Sequence, residues 1–146
     1  MPLLSPTDQD KLRDAFTSMT RRVRLLFFTQ TIGCDTCAET REILDELPPL
    51  SDKISIEEVN LVLDRDKAAQ HGVDRVPAVA LSYEDGESFH DTRIRFLGAP
   101  SGYEFISLIQ AVLLAGGRAS GLTDANRHRI AAVDKSITMQ VFTTPT

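Results

Sequence analysis

The most constraining stretch is residues 24–30, Arg-Leu-Leu-Phe-Phe-Thr-Gln, broken by Gly33 and followed by Cys-Asp-Thr-Cys-Ala-Glu-Thr-Arg-Glu-Ile-Leu-Asp-Glu-Leu. A short continuous apolar run is the pattern of a strand buried on both faces. Residues 34–47 then place Ile43, Leu44 and Leu47 on one helical face. Pro48 and Pro49 stop that helix. Residues 53–63 return to strand. Ile54 and Ile56 alternate inward, and Val59 with Leu61 resume out of phase. Strand, helix, strand in this order implies parallel strands joined by a right-handed crossover.

The flanking segments complete a mixed sheet. Residues 64–73 read as a short helix or turn closed near Gly72. Residues 76–83 and 92–98 are two strands joined through Asp85-Gly86, a hairpin signal. Ser101 and Glu104 have the spacing of a capping box behind Pro100. The helix they open turns Phe105, Ile106, Ile109, Val112 and Leu113 toward the core. An earlier helix starts near Ser5 or Thr7, with Pro6 in its first turn. Its stripe is Leu12, Ala15, Phe16 and Met19. Residues 115–121 read as a linker, residues 123–133 as a last helix and residues 136–142 as a last strand. The expected fold is α/β, a mixed four-stranded sheet of a parallel β-α-β unit plus an antiparallel hairpin, flanked by helices. An extra N-terminal helix and a C-terminal helix-strand extension lie outside that frame. There is also a weak internal repeat. Thr7-Asp8 and Thr123-Asp124 each open an amphipathic helix leading into an apolar strand that ends Phe-Thr.

A chain of 146 residues suffices for one domain with a real core. The formal net charge of −5 argues against a nucleic-acid surface. The first 18 residues lack the apolar core of a signal peptide. No apolar run is long enough to span a membrane. The expected location is the cytoplasm, where thiols are kept reduced.

Both cysteines, Cys34 and Cys37, lie where the first strand gives way to its helix. Unpaired N–H groups and the helix dipole favour negative charge there. A thiolate is stabilised, and only the thiolate attacks a disulfide. Cys34 is then the nucleophile. Cys37, one turn on and more enclosed, is the resolving thiol. Asp35 opposes ionisation as a neighbouring carboxylate but is favourable in a first helical turn. A less stabilised thiolate makes a poorer oxidant, which favours a reducing role. Two other readings compete. A zinc site needs about four ligands, and His71, His90 and His128 show no paired spacing with the cysteines. Two buried structural thiols are the other. A Cys-x-x-Cys beside a β-α-β pattern is the more specific signal for a redox pair.

Residues 71–81, His-Gly-Val-Asp-Arg-Val-Pro-Ala-Val-Ala-Leu, together with Gly33-Cys34-Asp35-Thr36-Cys37, resemble the thioredoxin superfamily. The resemblance implies that Pro77 is the cis-proline beside the cysteines. It implies that Val76 offers backbone groups to an incoming peptide. Phe-Leu-Gly-Ala-Pro-Ser-Gly-Tyr-Glu-Phe resembles the superfamily's last strand, glycine turn and helix, with Gly98 as the turn. A nearer resemblance is to the protein disulfide oxidoreductases of archaea and bacteria, which carry two such units in tandem. Glutaredoxins are more distant. Residues 1–117 then form one thioredoxin-like domain. Residues 118–146 resemble the start of a second, with Met-Gln-Val-Phe-Thr-Thr-Pro-Thr as its first strand.

This chain departs from the superfamily at several points. Phe28 stands where many thioredoxins have a buried aspartate, and there is no Trp before the motif. Glu58, in phase with Ile54 and Ile56, is a candidate substitute if it points inward near Cys37. A buried carboxylate would accept the resolving thiol's proton. The alternative is an exposed strand residue or a bulge. Asp74 and Arg75 flank the cis-proline stretch as surface charges.

The implied activity is thiol–disulfide exchange on protein disulfides, with no cofactor beyond the Cys34–Cys37 pair. The chain has no Gly-rich flavin or nicotinamide fingerprint, so a separate flavoprotein reductase is the expected electron donor. Two other functions remain open. One is an electron relay between a flavoprotein reductase and a peroxidase, like the N-terminal domain of the bacterial alkyl hydroperoxide reductase flavoprotein. The other is a non-enzymatic interaction module, oligomerising through the exposed strand 137–142.

Overall fold

The computed structural model describes residues 2–144. The chain runs α1 (Pro6–Phe16), β1 (Val23–Thr29), α2 (Cys37–Asp45), a 3-10 turn (Pro48–Leu50), β2 (Ile54–Asn60), α3 (Arg65–Gln70), β3 (Ala78–Asp85), β4 (Ser88–Leu97), α4 (Tyr103–Ala115) and α5 (Asp124–Ala131). The four strands form one sheet in the order β2-β1-β3-β4. β1 and β2 are parallel, from Val23 opposite Ile54 to Thr29 opposite Asn60. β3 runs antiparallel to both β1 and β4. This is the mixed sheet that the β-α-β pattern and the hairpin signal imply.

β1 is apolar at every position but Arg24 and Thr29 because both of its faces are covered. Val23, Leu25 and Phe27 join the larger core with Phe16, Leu44, Leu108 and Val112. Leu26 and Phe28 face the other way, onto Val59, Ala68 and Val73 beneath α3. The phase change in β2 has the same cause. Ile54 and Ile56 serve the larger core and Val59 the smaller, with no break in register. The Ser5 hydroxyl caps α1, accepting from the Asp8 N–H at 3.1 Å. Phe16 and Met19 are buried, which anchors α1 to the domain.

Five expectations need correction. Ile106 is 58% exposed, not turned toward the core, and Leu108 is buried in α4 instead. α2 starts at Cys37, not Cys34, because Asp35 and Thr36 form a turn. β4 starts at Ser88, well before Thr92, and bulges between Asp91 and Arg95. There Arg93 adopts φ 65°, the Thr92 hydroxyl donates to the Leu81 carbonyl at 2.7 Å, and the Arg93 N–H donates to Asp91 Oδ1 at 2.8 Å. The Ser101–Glu104 capping box does not form. Gly102, at φ 60°, occupies the cap of α4 without a side chain, and the Glu104 N–H bonds the Ser101 carbonyl. Residues 137–142 are not a strand. They have no neighbouring chain to pair with among the described residues and lie exposed, Phe142 at 90%. Pro145 and Thr146, the end of that expected strand segment, lie outside the described residues. α5 buries none of its residues.

Candidate functional site

Parallel pairing brings the C-terminal ends of β1 and β2 to one edge of the sheet. Antiparallel pairing brings the start of β3 and the end of β4 to the same edge, with Ala78 opposite both Phe28 and Leu97. Every loop leaving that edge therefore meets there. The cysteines, the Val76–Pro77 step and Gly98 share it.

Cys34 sits in the turn before α2 and is half-buried. Cys37 is the first residue of α2 and only 6% exposed. The two are disulfide-bonded, with Cα atoms 5.5 Å apart. Thr36 supplies no side-chain cap, and the first helical bond is from the Thr40 N–H to the Thr36 carbonyl at 3.0 Å. The N–H groups of the first turn thus lack intrahelical partners and face the turn that holds Cys34. The preceding loop turns at Gly33, at φ 76°. Asp35 is exposed.

The Val76–Pro77 peptide bond is cis. Pro77 is buried and Val76 half-buried. Val76 packs against the same core cluster as Cys34 and also against the smaller one. The Gly98 N–H donates to the Pro77 carbonyl at 2.9 Å. Asp74 and Arg75 are exposed and pair with each other at 2.9 Å. The hydrogen bond from Arg75 lowers the Asp74 pKa, and its charge adds to this.

Glu58 lies elsewhere than a proton acceptor under Cys37 would. It is on the same strand face as Ile54 and Ile56, but at the rim of the core. Its side chain is 46% exposed and ion-paired to Arg41 of α2. The inward, buried carboxylate that its phase suggested is therefore not formed. The reason is Arg41, which covers that corner of the sheet with a guanidinium instead of an apolar group.

Sequence patterning did not single out Arg41 or the apolar rim. Ile32 is 86% exposed and Leu63 81%, and Val62 and Leu97 are half exposed. All four follow or end strands at the dithiol edge. Exposed apolar residues in loops carry no periodic signal. Only the topology gathers them. A separate apolar depression of ≈310 Å³ lies between the N-terminal segment, α2 and α4. It is lined by Leu3, Ile43, Phe105, Glu39 and Glu42, not by either cysteine. Among the described residues no group of three His, Cys, Asp or Glu side chains is placed to hold a metal ion. No helix among them is long and apolar enough to cross a membrane.

No protein-family model matches the chain. A curated protein of Methanothermobacter thermautotrophicus described as a probable thioredoxin is 34% identical over 77 residues, covering 52% of this chain and 80% of its own length. Among solved structures, the NTD_N/C domain of alkylhydroperoxide reductase AhpF from Enterococcus faecalis superposes with a TM-score of 0.80 at 28% identity, over 90% of this chain and 62% of that one. A protein disulfide oxidoreductase from Aeropyrum pernix gives a TM-score of 0.74 at 25% identity, over 88% of this chain and 54% of that one. The chain thus spans little more than half to three-fifths of these two structures.

Proposed function

The chain belongs to the thioredoxin family and is a thiol–disulfide oxidoreductase, and from that premise we propose that it reduces protein disulfides with Cys34 as nucleophile and Cys37 as resolving thiol. The observation that carries the reading is the disulfide-bonded Cys34–Cys37 pair, one cysteine half-buried and the other enclosed, at the sheet edge that also holds Val76–Pro77. The Cys34 thiolate attacks one sulfur of a substrate disulfide, and the other sulfur leaves as a thiolate. Cys37 then attacks Cys34, closing the Cys34–Cys37 bond and releasing the second substrate sulfur. The Val76 backbone and Pro77 position the incoming peptide beside Cys34. The dithiol is the whole redox centre, and the reading assigns no further cofactor. The setting is a reducing compartment such as the cytoplasm.

The test is dithiothreitol-driven reduction of insulin. Activity is expected in the native protein and absent in Cys34→Ser. Undiminished activity in that variant would sink the assignment. Direction is read from the Cys34–Cys37 potential: a value near about −270 mV marks a reductant and one near about −120 mV an oxidant.

The likeness to the AhpF domain favours a second reading. In it the dithiol relays electrons from a separate flavoprotein reductase to a peroxidase. Fast turnover with such a pair and negligible insulin reduction would select the relay. The same likeness supports residues 118–146 as the start of a second thioredoxin-like unit, since an overlap of 90% extends past residue 117. The exposed segment 137–142 would pair with a partner or swap between copies. Size-exclusion chromatography with and without residues 136–146 distinguishes a swapped or paired oligomer from a monomer.

A further inference from the structure

Arg41 stands one turn after Cys37 on α2, at the i,i+4 spacing that places two side chains on one helix face. Helical side chains lean toward the N-terminus, which directs Arg41 toward the turn that carries Cys37. Its guanidinium is held from the other side by the ion pair with Glu58 of β2. The guanidinium carbon rests 5.8 Å from the centre of the Phe27 ring. Phe27 is in register opposite Glu58 and shares the core cluster of Cys37. The Glu58 hydrogen bond, aided by its charge, raises the Arg41 pKa above its ordinary value, so the cation persists at every working pH.

The other charges around this turn do not help a thiolate. Asp35 and Glu39 flank Cys37 in sequence, and Glu104 opens α4, which packs on the same core. Asp74 and Arg75, before Pro77, neutralise each other. Burial itself disfavours an ionised thiol. Arg41 is the one cation within four residues of Cys37.

We propose that Arg41 is a positioning residue for the resolving step, stabilising the Cys37 thiolate, and that Glu58 acts by anchoring Arg41 rather than by accepting the Cys37 proton. The proposal rests on the assignment of Cys37 as resolving thiol. In that step Cys37 has already given its proton to water. Its thiolate attacks Cys34 Sγ in the mixed disulfide, the Cys34–Cys37 bond forms and the Cys34–substrate bond breaks. The substrate sulfur leaves with the electron pair and takes up a proton.

The test titrates Cys37 alone, in a Cys34→Ser background, by thiolate ultraviolet absorbance. Arg41→Met is expected to cut the thiolate fraction at neutral pH by about three- to tenfold, a pKa rise of about half to one unit. Arg41→Lys should keep most of it. Glu58→Gln removes the anion but keeps an amide oxygen that can accept from Arg41 and hold it in place, so the Cys37 titration should stay or move down. With both cysteines present, Arg41→Met should slow the decay of the mixed disulfide by the same factor and leave the first attack by Cys34 unchanged. An unshifted titration in Arg41→Met overturns the proposal. So does a rise in Glu58→Gln as large as that in Arg41→Met, because the carboxylate would then be what sets the thiol. Should Arg41→Met fail to fold, Arg41→Gln replaces it. The titration needs no substrate, so inactivity of the native protein toward insulin would sink the proposed function while leaving this result readable.

Discussion

The backbone N–H of Gly98 donates to the carbonyl of Pro77 at 2.9 Å, tying the loop that leaves β4 to the loop that enters β3. Gly98 makes that turn at φ 95°, a region that side chains with a Cβ avoid. A Cβ added there would meet no atom within 4 Å, so the cost of Gly98→Ala is backbone strain alone. That substitution is expected to destabilise the fold by about 1 kcal/mol. Urea denaturation should show a lowered midpoint with an unchanged slope. An unmoved midpoint would mean that the turn relaxes into another conformation.

Ile32 projects from the loop before Cys34 and is 86% exposed. It stands two residues before Cys34, with Leu63 and Leu97 on the same edge. Covering part of an isoleucine side chain contributes about 1 kcal/mol, roughly five- to tenfold in kcat/KM. Ile32→Asp should therefore reduce kcat/KM toward a folded protein disulfide by that factor. It should leave turnover of a small disulfide unchanged and stability within about 0.5 kcal/mol. Equal losses on both substrates would assign Ile32 to the chemistry instead of to docking.

Asp91 pairs with Arg95 across the β4 bulge and accepts the Arg93 N–H at 2.8 Å. The Arg95 hydrogen bond is the largest cause of a lowered Asp91 pKa, opposed by partial burial. A carboxyl whose folded pKa is depressed stabilises the fold above its unfolded pKa, about 3.9, and loses that stabilisation as pH falls through the folded value. Asp91→Asn should thus cost stability at pH 7, on the order of 0.5–1 kcal/mol after screening by solvent. The two proteins should converge in acid, once the pH has fallen below the folded value. Denaturation midpoints measured across that range check the sign. A difference that persists undiminished in strong acid would show that shape, not charge, holds the bulge.

Sequence patterning was informative where burial was two-sided or chemistry was local. β1 showed itself because both faces are covered, and the cysteines because strand, turn and helix meet within a few residues. The misses share a cause, dependence on distant parts of the chain. The start of β4 was hidden because Asp91, Thr92 and Arg93 bulge out and break the alternation. Gly102 displaced a cap that Ser101 was spaced to provide. Arg41 reads as a solvated helix residue until β2 brings Glu58 to it. Residues 137–142 have the composition of a strand, but a strand needs a neighbour to bond.

The two copies of the internal repeat make the sharpest contrast. Phe16 of α1 is 2% exposed in the main core, whereas α5 and residues 132–144 bury nothing. Helix stability in proteins comes mostly from packing an apolar face, so similar sequences here contribute unequally. Phe16→Ala should cost about 3–5 kcal/mol, with a cavity left beneath α1. Deletion of residues 118–146 should change the stability of what remains by less than about 0.5 kcal/mol. Paired denaturation curves, read with insulin reduction, measure both. The shortened protein should keep its activity, because the dithiol, Val76 and Pro77 all lie before residue 118. A large loss of stability on deletion would show that the last helix docks in solution on a surface it leaves bare in the structure.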